Sequence, residues 1–192
     1  VAVFASKTKG YQPAASSVMP TSSLGSEYIV TTKPSFGNSV SPGIIAQCGA
    51  VAVVAPGTPV TVILTSPVDV PTDYPTSAAQ NALTAGVPDT VDIAARGVLH
   101  IKTVTTGGID LTGLKIEALN GTDVFAVYSG HAFLKKAGYT ADPLFDLEYP
   151  TATWGNEYIV SPINYIDTVY SEFKVVASLN ATDIFVDGLY QT

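Results

Sequence analysis

Val18-Met-Pro-Thr-Ser-Ser-Leu-Gly-Ser-Glu-Tyr-Ile-Val30 lies without gaps on Glu148-Tyr-Pro-Thr-Ala-Thr-Trp-Gly-Asn-Glu-Tyr-Ile-Val160, an offset of 130 residues. Pro20 and Pro150, Thr21 and Thr151, and Gly25 and Gly155 coincide, and the tetrad Glu27–Val30 returns intact as Glu157–Val160. Farther along, Gly43-Ile-Ile-Ala-Gln-Cys-Gly-Ala-Val-Ala-Val-Val-Ala-Pro-Gly57 lies on Lys174-Val-Val-Ala-Ser-Leu-Asn-Ala-Thr-Asp-Ile-Phe-Val-Asp-Gly188 at an offset of 131. Upstream, Ala2-Val-Phe-Ala5 resembles Ala126-Val-Tyr-Ser129, an offset of 124. A repeat at near-constant spacing decides the reading of everything between its copies. Residues 1–57 are one copy of a segment that returns at about 125–188, and residues 58–124 occur once. The chain therefore reads as roughly one and a half tandem units of about 130 residues. The expected division is a partial first β unit over 1–57 and a more complete β-sandwich unit over 58–192.

The segments around the repeat carry strand and turn signals. Thr58-Pro-Val-Thr-Val-Ile-Leu-Thr65 alternates β-branched residues after an Ala-Pro-Gly turn, and Val98-Leu-His-Ile-Lys-Thr-Val-Thr105 does so before Thr106-Gly-Gly. Leu114–Ala118 and Val124–Tyr128 flank Asn120-Gly121, which reads as a two-residue hairpin turn or a four- to five-residue loop. Phe173–Leu179 and Asp183–Val186 enclose Asn180-Ala-Thr in the same manner. No stretch has convincing helical periodicity, single turns near Ser77–Ala85 and His131–Gly138 excepted. Pro67, Pro71, Pro75 and Pro88 mark residues 67–90 as a long loop excursion. Short strands between Gly, Pro and Asn turns predict an all-β fold, an antiparallel Ig-like β-sandwich.

Composition narrows the function classes. Apolar residues make up 46% of the 192, enough for a core. Charged residues are only 13%, and Ser, Thr, Gly and Pro fill the polar positions, the profile of an extracellular or cell-surface β protein. A net charge of -7 with Arg96 as the single arginine leaves no basic stripe for nucleic acid. No apolar run approaches membrane-spanning length, so no membrane insertion is expected. The single cysteine, Cys48, cannot form an intrachain disulfide; a buried thiol and an intermolecular disulfide both fit it. The sequence opens on Val1 without Met or a signal-like segment, which reads as a processed product or an excerpt of something longer.

Chemistry is sparse. His100 and His131 are the only histidines, neither stands at metal-ligand spacing from a Cys or from the other, and no Gly-x-Ser-x-Gly elbow occurs. Asp142, Asp146 and Glu148 cluster in sequence. A solvated acidic loop accounts for them, with a calcium site or a glycosidase carboxylate pair as minor alternatives. No enzyme and no cofactor are expected. The recurring Gly25, Tyr28 and Val30, with Gly155, Tyr158 and Val160, read as repeat-core positions, since Tyr and Val two apart share one strand face; Trp154, in place of Leu24, fits the same core. Asn120-Gly-Thr122 and Asn180-Ala-Thr182 are candidate N-glycosylation sites at turns.

The run Trp154-Gly-Asn-Glu-Tyr-Ile-Val160, with Phe173-Lys-Val-Val-Ala-Ser-Leu-Asn-Ala-Thr-Asp-Ile184 after it and Val124-Phe-Ala-Val-Tyr-Ser-Gly130 before it, resembles the IgGFc-binding protein N-terminal domain. The first copy matches through Leu24–Val30 and Ala46–Gly57 but lacks the Ala-Thr pair. That resemblance implies extracellular placement in mucus-associated or adhesive proteins and carries over no catalytic residues. The cut positions add an expectation of their own: a unit lacking part of its strands leaves an open edge for another chain to complete. The expected function is a structural or adhesive subunit of a filament assembled head-to-tail with itself by strand complementation. A binding module for glycans or a host protein is the alternative, and a carbohydrate-active enzyme ranks last.

Overall fold

The structure, a computed structural model, describes residues 3–9, 12–34, 49–71, 82–103, 108–134, 142–160, 173–186 and 189–191. Cys48, read as a buried thiol or an intermolecular disulfide, lies outside them. The chain divides into two compact units, residues 1–154 and 155–192. This division differs from the boundary between 57 and 58 drawn from the repeat, because strands on both sides of residue 57 share the same sheets.

Unit 1 contains strands β1 (Val3–Lys9), β2 (Gln12–Val18), β3 (Glu27–Ile29), β4 (Gly49–Val54), β5 (Val60–Thr65), β6 (Asp89–Ile93), β7 (Val98–Lys102), β8 (Lys115–Ala118), β9 (Ala126–Leu134) and β10 (Asp142–Leu147). One four-stranded antiparallel sheet runs β10-β9-β4-β7 and a second runs β3-β8-β5-β6, while β1 and β2 form a separate hairpin. The all-β expectation holds, and the arrangement is that of a β-sandwich. In unit 2, β11 (Ile184–Val186) and β12 (Leu189–Gln191) form a two-stranded sheet.

Side-chain alternation sets the sandwich. In β5, Val60, Val62 and Leu64 are buried while Thr61, Ile63 and Thr65 face outward, and in β7 Leu99 and Ile101 are buried between exposed Val98, His100 and Lys102. A period of two puts one apolar face per strand against the opposite sheet. The inward faces meet in one core in which Tyr28, Leu64, Ile101, Leu114, Ile116 and Phe125 are fully enclosed. Burying side chains of this size contributes about 1.5–3 kcal/mol each. No helix among the described residues is long and apolar enough to cross a membrane.

Several local expectations need correction. Asn120-Gly121 is not a hairpin turn: β8 before it and β9 after it belong to different sheets, so it sits in a crossover, with Gly121 at φ 72° and its N–H donating to the Ala118 carbonyl. The turn expected at His131–Gly138 is strand as far as Leu134, because β9 pairs on both edges, with β4 and with β10. The excursion over 67–90 is tied at its base by an antiparallel bridge between Val70 and Leu83, both buried, and it ends in β6. Phe173–Leu179 forms no strand.

Candidate interaction site

The recurring segment builds the same small device twice. Pro20 opens a 3-10 turn at Thr21–Ser23, closed by Ser23 N–H donating to the Pro20 carbonyl at 2.9 Å; Pro150 opens its counterpart at Thr151–Thr153, closed by Thr153 N–H on the Pro150 carbonyl at 2.9 Å. Proline suits the position because its fixed φ is already extended and it has no N–H to leave unpaired there. Beyond the turn, Gly25 N–H donates to the Tyr28 hydroxyl at 2.9 Å, and Gly155 N–H donates to the Tyr158 hydroxyl at the same distance. The Gly-x-x-Tyr spacing thus folds the tyrosine back onto its own strand lead-in.

The surroundings of the two devices differ. In the first, the Tyr28 hydroxyl donates onward to the Phe125 carbonyl at 2.6 Å, and Phe125 N–H donates back to the Gly25 carbonyl at 3.1 Å. The Tyr28 and Phe125 rings lie 5.1 Å apart in a tilted pair. Burial pushes the Tyr28 hydroxyl above the usual tyrosine pKa. The turn of the second copy also closes on the first: a β-carbon added at Gly25 would stand 2.4 Å from the Pro150 ring, and Thr151 Oγ1 donates to Glu27 Oε1 at 2.8 Å. Burial alone would raise the Glu27 carboxyl, but the bonds from Thr151 and from Lys115, at 3.2 Å, outweigh it and hold that carboxyl below its ordinary value. Lys115 also pairs with Glu117 at 2.8 Å.

In the second device none of this cover is present among the described residues. Tyr158 is 67% exposed, Ile159 fully exposed and Val160 55% exposed, whereas Tyr28 and Val30 are at zero. Tyr158 and Val160, expected in a core, are therefore corrected to surface positions: in the first copy β8 and Phe125 supply the enclosing wall, and no described strand pairs with 157–160. Trp154 is partly buried with its indole N–H on the Tyr149 carbonyl at 3.0 Å. Unit 2 also exposes Phe173, Phe185 and Val186.

Asp146 and Glu148 are each held by donors from neighbouring segments. Asp146 Oδ1 accepts from Ser16 Oγ at 2.8 Å and from Leu147 N–H at 2.8 Å, while Glu148 accepts from Thr31 N–H at 2.7 Å and bonds Ser129 Oγ. No three His, Cys, Asp or Glu gather as metal ligands among the described residues; the side chain of Asp142 lies outside them. His131 is buried with Nε2 3.2 Å from the Pro34 carbonyl, and His100 is exposed. Asn120 is exposed, its Oδ1 accepting from Thr122 and Asp123 N–H; Asn180 is exposed in a turn where Thr182 Oγ1 donates to the Leu179 carbonyl. Phe125 and the seating of Pro150 and Thr151 were missed from sequence. Phe125 stands immediately before the repeated Ala126–Ser129 block, a signal that pointed to it.

Glu148 gives the fold a pH dependence. Burial raises its carboxyl above the ordinary value, only partly offset by the bonds from Ser129 and Thr31. The folded chain therefore holds this proton more tightly than the unfolded one, and the stability tied to it falls as pH rises above about 4.5. Glu148→Gln keeps both hydrogen bonds and removes the proton. Urea midpoints of the wild type relative to this variant are expected to drop on going from acid to neutral pH; a constant difference would contradict the assignment.

A family model described as IgGFc binding protein matches residues 14–192 of the chain. No curated protein and no solved structure matches it.

Proposed function

Since the chain belongs to the IgGFc-binding protein family, we propose that it is an extracellular module that works by protein–protein contact, without catalytic or cofactor chemistry. One observation carries this reading: a strand lead-in that is enclosed by protein in its first copy recurs with the same Gly–Tyr bond and its apolar side chains in water. A sequence that keeps Tyr158, Ile159 and Val160 exposed has a use for them in contact with a partner.

The finer reading is an adhesive or structural subunit that joins copies of itself head-to-tail, strands of one copy completing a neighbour. A heterologous contact of this kind need not close and can grow a filament. Asn120 and Asn180, both exposed, would carry glycans on such a subunit. A second reading, recognition of glycans, draws on the exposed rings of Tyr149, Tyr158 and Phe173. The test is surface plasmon resonance on immobilised chain, with the chain itself, the immunoglobulin Fc fragment named in the family description, and a panel of mucin glycans as analytes. Saturable binding of a protein analyte is expected. A response to glycans alone, or to none of the three, would overturn the proposal.

A further inference from the structure

The first copy of the recurring segment has a ligand, and that ligand is a piece of its own chain. The turn that starts at Pro150 lies on it: the proline ring stands 2.4 Å from where a Gly25 β-carbon would be, and Thr151 Oγ1 donates to Glu27 Oε1 at 2.8 Å. Three residues make the receiving site. Gly25, lacking a β-carbon, admits the proline ring; Glu27, two residues on, takes the hydroxyl proton; and the Tyr28 hydroxyl, bonded to the Gly25 N–H, fixes the backbone between them. What the site receives is Pro-Thr with two small residues after it, in a 3-10 turn.

Site and ligand both occur a second time, at an offset of 130 residues. The site returns as Gly155, Glu157 and Tyr158, all exposed, with the same Gly–Tyr bond at 2.9 Å. A β-carbon on Gly155 would meet no described atom nearer than 3.8 Å, so the position that the Pro150 ring takes at Gly25 is open here. The ligand returns as Pro20-Thr21-Ser22-Ser23, all four exposed. Its turn is closed by the same bond, and Pro20 stands at φ -64°, ψ 150° beside -56°, 140° for Pro150. The free turn already has the shape of the seated one, so docking it costs little ordering. One chain thus holds a filled site, an open site and a free ligand.

Resting on the protein-contact reading of the proposed function, we infer that Gly155, Glu157 and Tyr158 form a recognition site for a Pro-Thr turn, occupied by the Pro20–Ser23 turn of a second copy of the chain. The Pro20 ring covers Gly155, and the Thr21 hydroxyl donates to the Glu157 carboxylate. Site and ligand are different surfaces of the chain, so the contact is heterologous. A single turn buries little area, which makes the contact a weak one.

Two full-length variants test it by complementation. Gly155→Trp fills the site and leaves the turn intact; Thr21→Glu leaves the site intact, removes the hydroxyl and sets a carboxylate against Glu157. Both positions are outside the buried core, and thermal unfolding like that of the wild type checks that each variant folds. In sedimentation velocity each variant alone is expected to self-associate at least about tenfold more weakly than the wild type. An equimolar mixture is expected to regain association, the turn of one variant entering the site of the other, and to stop at the dimer because no second site–turn pair remains. Rescue by mixing separates a lost contact from a damaged fold. A wild type that associates while the mixture does not, or variants that associate like the wild type, overturns this docking and leaves the protein-contact reading standing. A wild type that stays monomeric at every concentration also overturns it; the proposed function then falls only if the Fc fragment fails to bind as well.

Discussion

Tyr28→Phe is expected to destabilise unit 1 by about 2–4 kcal/mol, although it removes a single oxygen. The Tyr28 hydroxyl accepts from Gly25 N–H and donates to the Phe125 carbonyl, inside a core where Tyr28 has no exposure. Phenylalanine leaves the Phe125 carbonyl without that partner in a buried site and the Gly25 N–H in a half-buried one, and each such loss costs about 1–3 kcal/mol. The ring pair with Phe125 survives, so the loss reports on the hydrogen bonds and not on packing. Tyr158→Phe is the internal control. Its hydroxyl makes the same bond to Gly155 but stands in water, where solvent replaces it, and its effect should stay within about 0.5 kcal/mol. Urea unfolding with equal m-values checks both; equal losses at the two tyrosines would contradict the different surroundings assigned to them.

Gly25→Ala is expected to cost about 1–3 kcal/mol through overpacking. The added methyl would stand 2.4 Å from Cβ and 2.9 Å from Cγ of Pro150, and a proline ring cannot swing aside as the end of a flexible side chain can. Relief requires moving the backbone of the turn that carries Thr151, which disturbs its bond to Glu27. Gly155→Ala, at the matching position of the second copy, makes only an ordinary contact with the Glu157 backbone at 3.8 Å and should be close to neutral. Destabilisation of similar size at both glycines would show that the local strand, and not the covering proline, requires glycine.

The contrast between the two copies shows what a sequence conveys and what it does not. The spacing from Pro20 through Gly25 to Tyr28 determines local geometry, and its recurrence from Pro150 to Tyr158 brings the same turn and the same Gly–Tyr bond. Burial is different: it depends on which strands arrive from elsewhere. Glu-Tyr-Ile-Val is enclosed where β8 and Phe125 reach it and exposed where no described residue does, with the same four letters in both places. The strands with clean alternation, β5 and β7, were legible because one face is apolar throughout. The hairpin β1–β2 was not, since Lys, Ser, Thr and Gln fill much of it and its period is weak. Asn120-Gly121 misled because a positive-φ glycine serves a crossover as well as a hairpin, and only long-range pairing separates the two. Glu148 was grouped with Asp146 by sequence proximity, whereas its hydrogen-bond partners, Thr31 and Ser129, come from other strands and segments.

Central to this account is that the surface exposed in the second copy exists to be covered by protein, in the way the first copy is covered. Sedimentation velocity across a wide concentration range tests it most directly, with the wild-type chain and Gly155→Trp run side by side. The account predicts a weight-average sedimentation coefficient that climbs with concentration for the wild type and stays near the monomer value for the variant. A wild-type chain that sediments as a single monomeric species throughout would contradict it.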